Sequence, residues 1–340
     1  TEDERGGEEP SGAGVRFEPE ARLISGFEYE RSRPQGAQTR AAEKQYGFEL
    51  EQARLGLSAE LEPFRLHLSF DLADALSPEL GTSYDSPAYL RTATLEYRPS
   101  RALRLTVGRF KRPFSAIELE SAIDLPVLDR GLWNDLAVEN NQWGDRAVGM
   151  MASGRIAFRK LRWQLSLTNP SWSSSLDTQG VDVLARVRLS LVKGLSVGVN
   201  GGYKYLVFAG QDAATHNYGA GADLNLNLGA AHVLLEGSVV DLPFETDRPR
   251  GFGALLLLDY VLPLSSDWAL QPMLFAEIAD ANAKVSGTES VRLALGLNLL
   301  ASAHFRLLPQ LALVRALGDP SQANPWLESE TYSLIFSLAL

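Results

Sequence analysis

The chain of 340 residues has no cysteine. That removes disulfide cross-links, thiolate metal sites and a cysteine nucleophile from consideration. Histidine is almost as scarce: the four are His67, His216, His232 and His304. None falls in an H-x-x-x-H or H-E-x-x-H spacing, which would put two imidazoles on one metal. There is no G-x-x-x-x-G-K-[ST] phosphate-binding loop, and the glycine-rich "GVNGGYKY" lies within a strand pattern instead of opening a helix. Long apolar runs are missing too. The best candidate, "GALLLLDYVLPL" over 253–264, is too short for a membrane helix and is interrupted by Asp259 and Pro263. Nor is there a basic excess. A net charge of −10 and a pI near 5.1 argue against a nucleic-acid partner, because phosphate binding needs a concentrated cationic surface.

What is present is a strand pattern repeated along almost the whole chain. The opening "TEDERGGEEPSGAG" has neither an initiator Met nor an apolar leader, as expected of an exported chain whose signal peptide has been removed. Residues 1–18 are expected to form a mobile acidic N-terminal segment, and 19–340 a single domain. From there apolar residues recur every second position, the period of a strand. In "PFRLHLSFDLA", Phe64, Leu66, Leu68, Phe70 and Leu72 share one face, while Arg65, His67, Ser69 and Asp71 share the other. The final "TYSLIFSLAL" repeats the pattern with Tyr332, Leu334, Phe336, Leu338 and Leu340.

Counting such segments predicts about sixteen strands of roughly 9–14 residues, the length of a tilted bilayer-crossing strand. Their connections alternate. Short links near 98–101, 158–160, 191–194, 229–230, 263–267 and 301–303 are separated by longer polar stretches such as 168–179, 241–250, 280–289 and 317–330. That is the pattern of an all-β transmembrane antiparallel barrel, with short turns on the periplasmic rim and longer loops outside. Alternation alone also fits a soluble barrel or sandwich. Size separates them: sixteen strands enclose too wide a space for side chains to fill, so the polar face must point inward to water and the apolar face outward to lipid. Tyr29, Tyr46, Tyr89, Tyr97, Trp163, Tyr205, Tyr218, Tyr260, Trp268, Phe305 and Tyr332 fall near predicted strand ends, where interfacial girdles form. Pro272 and Pro309 interrupt predicted strands and suggest bulges, as does a change of phase near Gln52. Arg91 falls on the apolar face by parity, with no sequence-level reason.

The longest interruption, 110–142, follows the fifth predicted strand (102–109) and precedes the sixth (143–158), which makes it the third external loop. Loops beyond about 12–15 residues are usually functional or disordered, and this one is too rich in Phe, Leu, Ile, Val and Trp for disorder. It is expected to fold into the lumen and narrow it, with its apolar side chains anchored on the wall. "VGRFKRPFS" (107–115), "LPVLDRG" (125–131) and "GDRAVGMMASGRI" (144–156) resemble the outer-membrane porins named for the phosphate-selective porins O and P. The resemblance implies a trimeric sixteen-strand barrel whose third loop forms the constriction. The lysine and arginine arrays on which phosphate specificity depends have no residue-by-residue match here, and the final residue is Leu340 where the family carries an aromatic.

The charges give neither sign the upper hand. Lys111, Arg112 and Arg130 share the loop with Glu118, Glu120, Asp124, Asp129, Asp135 and Glu139, and parity puts Arg155, Arg162, Arg186, Arg188 and Lys204 on the polar wall. Loop carboxylates facing arginines of the sixth to eighth strands would produce a transverse field. The alternative is that these arginines pair locally to hold the loop, above all Arg109 and Arg146 beside it. His67 with Ser69 is the nearest approach to a catalytic pair, but it lacks an orienting group and an oxyanion donor. The expected function is passive diffusion of small hydrophilic solutes and ions by an integral barrel of the bacterial outer membrane, in contact with lipid and lipopolysaccharide, homotrimeric, without cofactor, metal or enzymatic chemistry. A substrate-specific anion or phosphate channel, and a non-conducting scaffold or receptor barrel, remain as alternatives.

Overall fold

A computed structural model describes residues 15–33, 43–73, 90–156, 160–170, 178–208, 213–245, 247–301, 305–317 and 328–339. The strands are β1 (Arg16–Arg33), β2 (Glu43–Leu61), β3 (Phe64–Asp71), β4 (Leu90–Tyr97), β5 (Arg104–Lys111), β6 (Arg146–Ile156), β7 (Leu161–Thr168), β8 (Thr178–Val192) and β9 (Leu195–Phe208). They continue as β10 (Thr215–Leu228), β11 (Ala231–Asp241), β12 (Arg250–Tyr260), β13 (Leu262–Pro263), β14 (Trp268–Asp280), β15 (Glu289–Ala301), β16 (Phe305–Ala316) and β17 (Glu328–Ala339). β12 and β13 pair with β14 in one continuous register and make a single wall strand, so the wall has sixteen. Each strand pairs antiparallel with its sequence neighbours, and β1 closes the sheet on β17, from Arg22 opposite Ala339 to Arg33 opposite Glu328. Closure gives every wall strand a neighbour on both sides, which a lipid environment favours.

The faces sort as the alternation predicts. Leu95, Val107, Met150, Leu165, Val199, Leu235 and Leu295 are exposed, whereas Ser58, Thr94, Thr106, Ser166, Asp182, Asn200 and Asn298 on the opposite face are buried. A sheet that hides its polar face and presents its apolar one is curved with water-seeking groups inside. Of the aromatics expected in the girdles, Tyr46, Tyr97, Tyr205, Tyr218, Tyr260, Trp268 and Tyr332 are exposed. Tyr89 and His304 lie outside the described residues, as does the N-terminal segment 1–14. β1 already begins at Arg16, inside the stretch expected to precede the barrel.

The irregularities fall into two groups. The phase change near Gln52 is a bulge: Ile24 pairs with Gln52 and Ser25 with Leu50, leaving Glu51 as the extra residue. A second bulge resolves Arg91. Ser69 pairs with Thr92 and Phe70 with Leu90, so Arg91 is the unpaired residue and turns to the side of Thr92 and Arg54. The prolines, by contrast, make no bulge. Pro272 keeps register with Leu297 and lies where β14 passes from β12 to β13, and Pro309 lies where the pairing of β15 with β16 lapses between Gly296 and Leu299. Their missing N–H groups fall where the ladder is already open.

The apolar run 253–264 has a related cause. Leu255 and Leu257 point inward yet are buried, in one cluster with Leu234, Met273 and Phe275 of the wall and Ile117, Leu125 and Val127 of the long connection. β12 is apolar on both faces because one meets lipid and the other seats the connection, so it reads as a continuous run.

Candidate functional site

The long connection occupies 112–145. Ser115 caps a short helix, α1 (Ala116–Leu119), accepting a hydrogen bond from the Glu118 N–H at 3.2 Å, and a π-helical stretch spans Asn134–Asn140. The apolar side chains point to the wall. Phe114, Trp133, Leu136, Val138 and Trp143 pack with Leu184, Val240, Leu242, Ala279 and Val314, while Leu128 meets Ile24, Leu308 and Ile335.

Two tryptophans fill sockets in the wall. The Trp133 indole lies over Gly251 and Gly253 of β12, where a Cβ at either position would meet the ring, and its Nε1 donates to Ser238 Oγ at 2.7 Å. Trp143 occupies the place a Cβ would take at Gly202 and Gly219, and its Nε1 donates to the Asp241 carbonyl at 2.8 Å. The glycines of "GVNGGYKY" therefore include a close-approach site and not a nucleotide loop.

Wall carboxylates secure the backbone. Glu236 Oε2 accepts from the N–H groups of Ala116 and Ile117, both at 2.9 Å, and Glu277 accepts from Leu132 at 2.8 Å and Trp133 at 2.9 Å. Each satisfies N–H groups at or just before the start of a helical turn, which have no partner within it. At the deepest point Arg306 donates to the Leu125 carbonyl at 2.6 Å and Asn298 to that of Pro126 at 2.7 Å.

The twelve residues expected to line the pore divide sharply. Arg112 and Lys204 are wholly buried: both reach Asp182 Oδ2, at 2.7 and 2.8 Å, and Lys204 also donates to the Gln142 carbonyl and lies 5.2 Å from the centre of the Trp143 ring. They are anchors between the connection and the wall and do not face open water; the shared carboxylate and the indole face offset the cost of burying the two charges. Glu118 is buried with Lys111 at 2.8 Å and Arg130 at 3.3 Å; burial would raise its carboxyl pKa, but these two cations hold it below the usual range. Arg130 also donates to the carbonyls of Ile117 and Glu120, and Arg186 is buried against Asp223 at 2.6 Å. Glu120 is half-buried, and Arg188 bonds Ser196 at 2.9 Å. Asp124, Arg155 and Arg162 are exposed. Asp129 is exposed yet paired through both oxygens with Arg292, which overcomes the effect of burial and keeps its carboxyl low.

The exposed positions of the connection are thus Asp124, Asp129, Asp135, Glu139 and Asn140. The ionisable ones among them are all carboxylates, while Lys111, Arg112 and Arg130 are held in ion pairs. At Asp135 burial within the barrel, then the charges of Asp129 and Glu139, push the carboxyl up to about 8 although the side chain reaches water. Burial and the neighbouring Glu118 and Asp145 raise Glu139 as well.

The connection contacts β8–β12 and β14–β17, and Ser121 accepts from Arg22 of β1 at 2.9 Å. The wall it leaves open runs from β2 to β7. Arg54 there pairs with Asp71 at 3.1 Å, and Arg91 and Arg146 lie close enough to act on one another and on the carboxylates of the connection. The arginines of β6–β8 expected to face the loop are elsewhere: Arg155, Arg162 and Arg188 lie at the short-turn end of their strands. Parity assigned their face but not their height. His67 lies 3.0 Å from Ser58 Oγ instead of Ser69, and Arg65 also donates to that hydroxyl. Among the described residues, no group of three His, Cys, Asp or Glu is arranged to hold a metal.

A closed sixteen-strand barrel with an apolar exterior and a charged connection across its inner wall defines an outer-membrane channel protein of the porin type. The family can be named more narrowly: the model described as phosphate-selective porin O and P matches residues 27–232, more than half of the chain, and the chain belongs to that family. Among solved structures it is similar to an anion-selective porin from Comamonas acidovorans, with 14% identity, a TM-score of 0.67 and coverage of 96% of this chain and 100% of that one. It is also similar to the outer membrane channel DcaP of Acinetobacter baumannii (9% identity, TM-score 0.65, 97% and 99% covered) and to the trimer form of OmpT from Vibrio cholerae (9%, 0.62, 96% and 100%). At such identities the likeness is one of fold. No curated protein sequence matches it. The protein is a porin, a passive channel of the outer membrane.

Proposed function

We propose that the connection 112–145 is the constriction of this channel, and that solutes pass between its acidic face and the arginine-bearing wall of β2–β7. The observation that carries this reading is the sorting of charge on the connection: every exposed ionisable position is a carboxylate, while Lys111, Arg112 and Arg130 are held in ion pairs. Fixed charges of opposite sign across a narrow, low-dielectric passage orient water and polar solutes and tune ion preference without binding any one solute tightly. General diffusion of small hydrophilic solutes and ions fits this better than dedicated phosphate transport, because a phosphate filter needs unopposed cations at the narrowest point. The two family-level alternatives are separated by ion preference.

The assembly is a homotrimer in this proposal, supported by the resemblance and by the trimer form of the OmpT relative in fold. The apolar exterior contacts lipid and lipopolysaccharide where it does not contact another protomer, and the chain reaches the outer membrane by way of a removed signal peptide. Replacing Asp124, Asp135 and Glu139 together by amides tests the constriction. The reversal potential in a KCl gradient is expected to shift toward anions with little change in the folded barrel. An unchanged reversal potential would place these carboxylates off the ion path.

A further inference from the structure

The outer face of the barrel carries a charged patch that the channel does not use. At the long-loop ends of four adjacent strands, alternation turns Arg315 of β16, Glu328 and Glu330 of β17, Arg31 of β1 and Lys44 of β2 to the outside, on the face that carries Tyr29, Tyr46 and Tyr332. Glu330 pairs in register with Arg31, and Arg31 with Lys44. Arg31, Arg315, Glu328 and Glu330 line a pocket of about 100 Å³. Its cations are not used up within it. Arg315 reaches Glu330 at 3.0 Å with its side chain still 45% exposed, Lys44 is exposed, and Arg31 Nε is buried with no hydrogen-bond partner among the described residues. Two residues further down β1 and β17, Tyr29 and Tyr332 border an apolar groove of about 570 Å³ that Leu297, Pro309, Leu311 and Leu334 also line. Two residues of a strand cover about 7 Å, so one amphiphile can reach both the pocket and the groove.

We infer that this patch holds one lipid of the outer leaflet, a glycolipid of the lipopolysaccharide type with several acyl chains and a phosphate at each end of its sugar core. The order of charges argues for it. Cations stand at both ends of the patch, Arg315 on one side and Arg31 with Lys44 on the other, and the carboxylates of β17 lie between them. Neighbouring strands lie about 4.8 Å apart, so β16 to β2 span about 14 Å, room for a disaccharide laid across the strands. Its two phosphates take the guanidinium and ammonium donors at the ends, and its hydroxyls donate to Glu328 and Glu330 in the middle. A glycerophospholipid, with one phosphate and no sugar, leaves one end and the carboxylates unmatched. The tyrosines mark the depth at which headgroups give way to chains, and the groove below them receives the chains. The site rests on the reading of the barrel as an outer-membrane protein and not on its conductance.

Diphosphoryl lipid A is the probe, with monophosphoryl lipid A and phosphatidylglycerol as competitors. Native mass spectrometry of the detergent-solubilised protein is expected to show one diphosphoryl lipid A per protomer, bound about tenfold more tightly than either competitor. R31Q and K44Q together remove the cations of one end, so the double variant should bind the diphosphoryl and monophosphoryl forms alike. R250Q, which removes an exposed cation elsewhere on the outer rim, should keep the preference. Heat-modifiable migration on gels verifies that the variants fold. Equal binding of the two lipid A forms by the wild type, or a preference undiminished in the double variant, would overturn the site. Loss of trimers from unheated gels of the double variant, with lipid binding unchanged, would overturn it too and give the face to a neighbouring protomer. The substitutions leave the lumen untouched, so their conductance should match the wild type; absent conductance in the wild type counts against the channel reading, and absent lipid preference against this site.

Discussion

The Trp133 socket determines whether the connection is a fixed wall or a movable flap, and its energetics can be worked through. Trp133 is 5% exposed. A buried tryptophan hides about 150–250 Å², which at about 25 cal/mol per Å² contributes about 4–6 kcal/mol, and its Nε1–Ser238 hydrogen bond adds about 1 kcal/mol. Trp133→Ala should therefore cost about 3–5 kcal/mol. The sheet is closed independently of this contact, so the loss falls on docking of the π-helical half of the connection, a local opening and not global unfolding. Each 1.4 kcal/mol is tenfold in an equilibrium, so the undocked fraction rises about a thousandfold. Gly253→Ala should act on the same contact from the other side, because its Cβ would occupy the space of the indole. Both variants are expected to show larger, noisier single-channel currents and protease cleavage within 131–143, at an unchanged barrel melting temperature. Currents and cleavage matching the wild type in both variants would refute the socket as the support of the constriction.

Two further outcomes follow from the same contacts. Asp182→Asn leaves the buried Arg112 and Lys204 without their shared counter-charge, a loss of about 3–5 kcal/mol, so the temperature at which the folded band disappears on gels should fall. Asp135, pushed up to about 8, is neutral below that pH and charged above it. Cation preference of the wild type should accordingly increase as pH rises through about 8, and reversal potentials of Asp135→Asn should lack that step.

Much of the architecture was legible because a strand's period is two and a barrel imposes it sixteen times. Leu66, His67, Leu68 and Ser69 declare their faces by alternation alone, and the closure of β1 on β17 follows from having no edge to leave in lipid. Parity was misled where one extra residue shifts it, as at Arg91, since the bulge is defined by a partner strand that the local sequence does not contain. It gave no information on the connection, which has no period. There the burial of Arg112 depends on Asp182, 70 residues away, and the seating of α1 on Glu236, while Lys111 and Arg130 turn to the nearby Glu118. Trp133, Trp143, Glu236 and Glu277 were missed as anchors. The available signal was the pairing of tryptophans in the insertion with glycine pairs in distant strands, Gly202 with Gly219 and Gly251 with Gly253.

The central claim is an open passage with opposed charges at its narrowest point, and single-channel recording of the purified protein in a planar bilayer under a KCl gradient tests it most directly. The account predicts stable open steps, grouped in threes, with a weak ion preference that orthophosphate does not abolish. Reproducible silence from folded protein, or chloride current fully blocked by low orthophosphate, would contradict it.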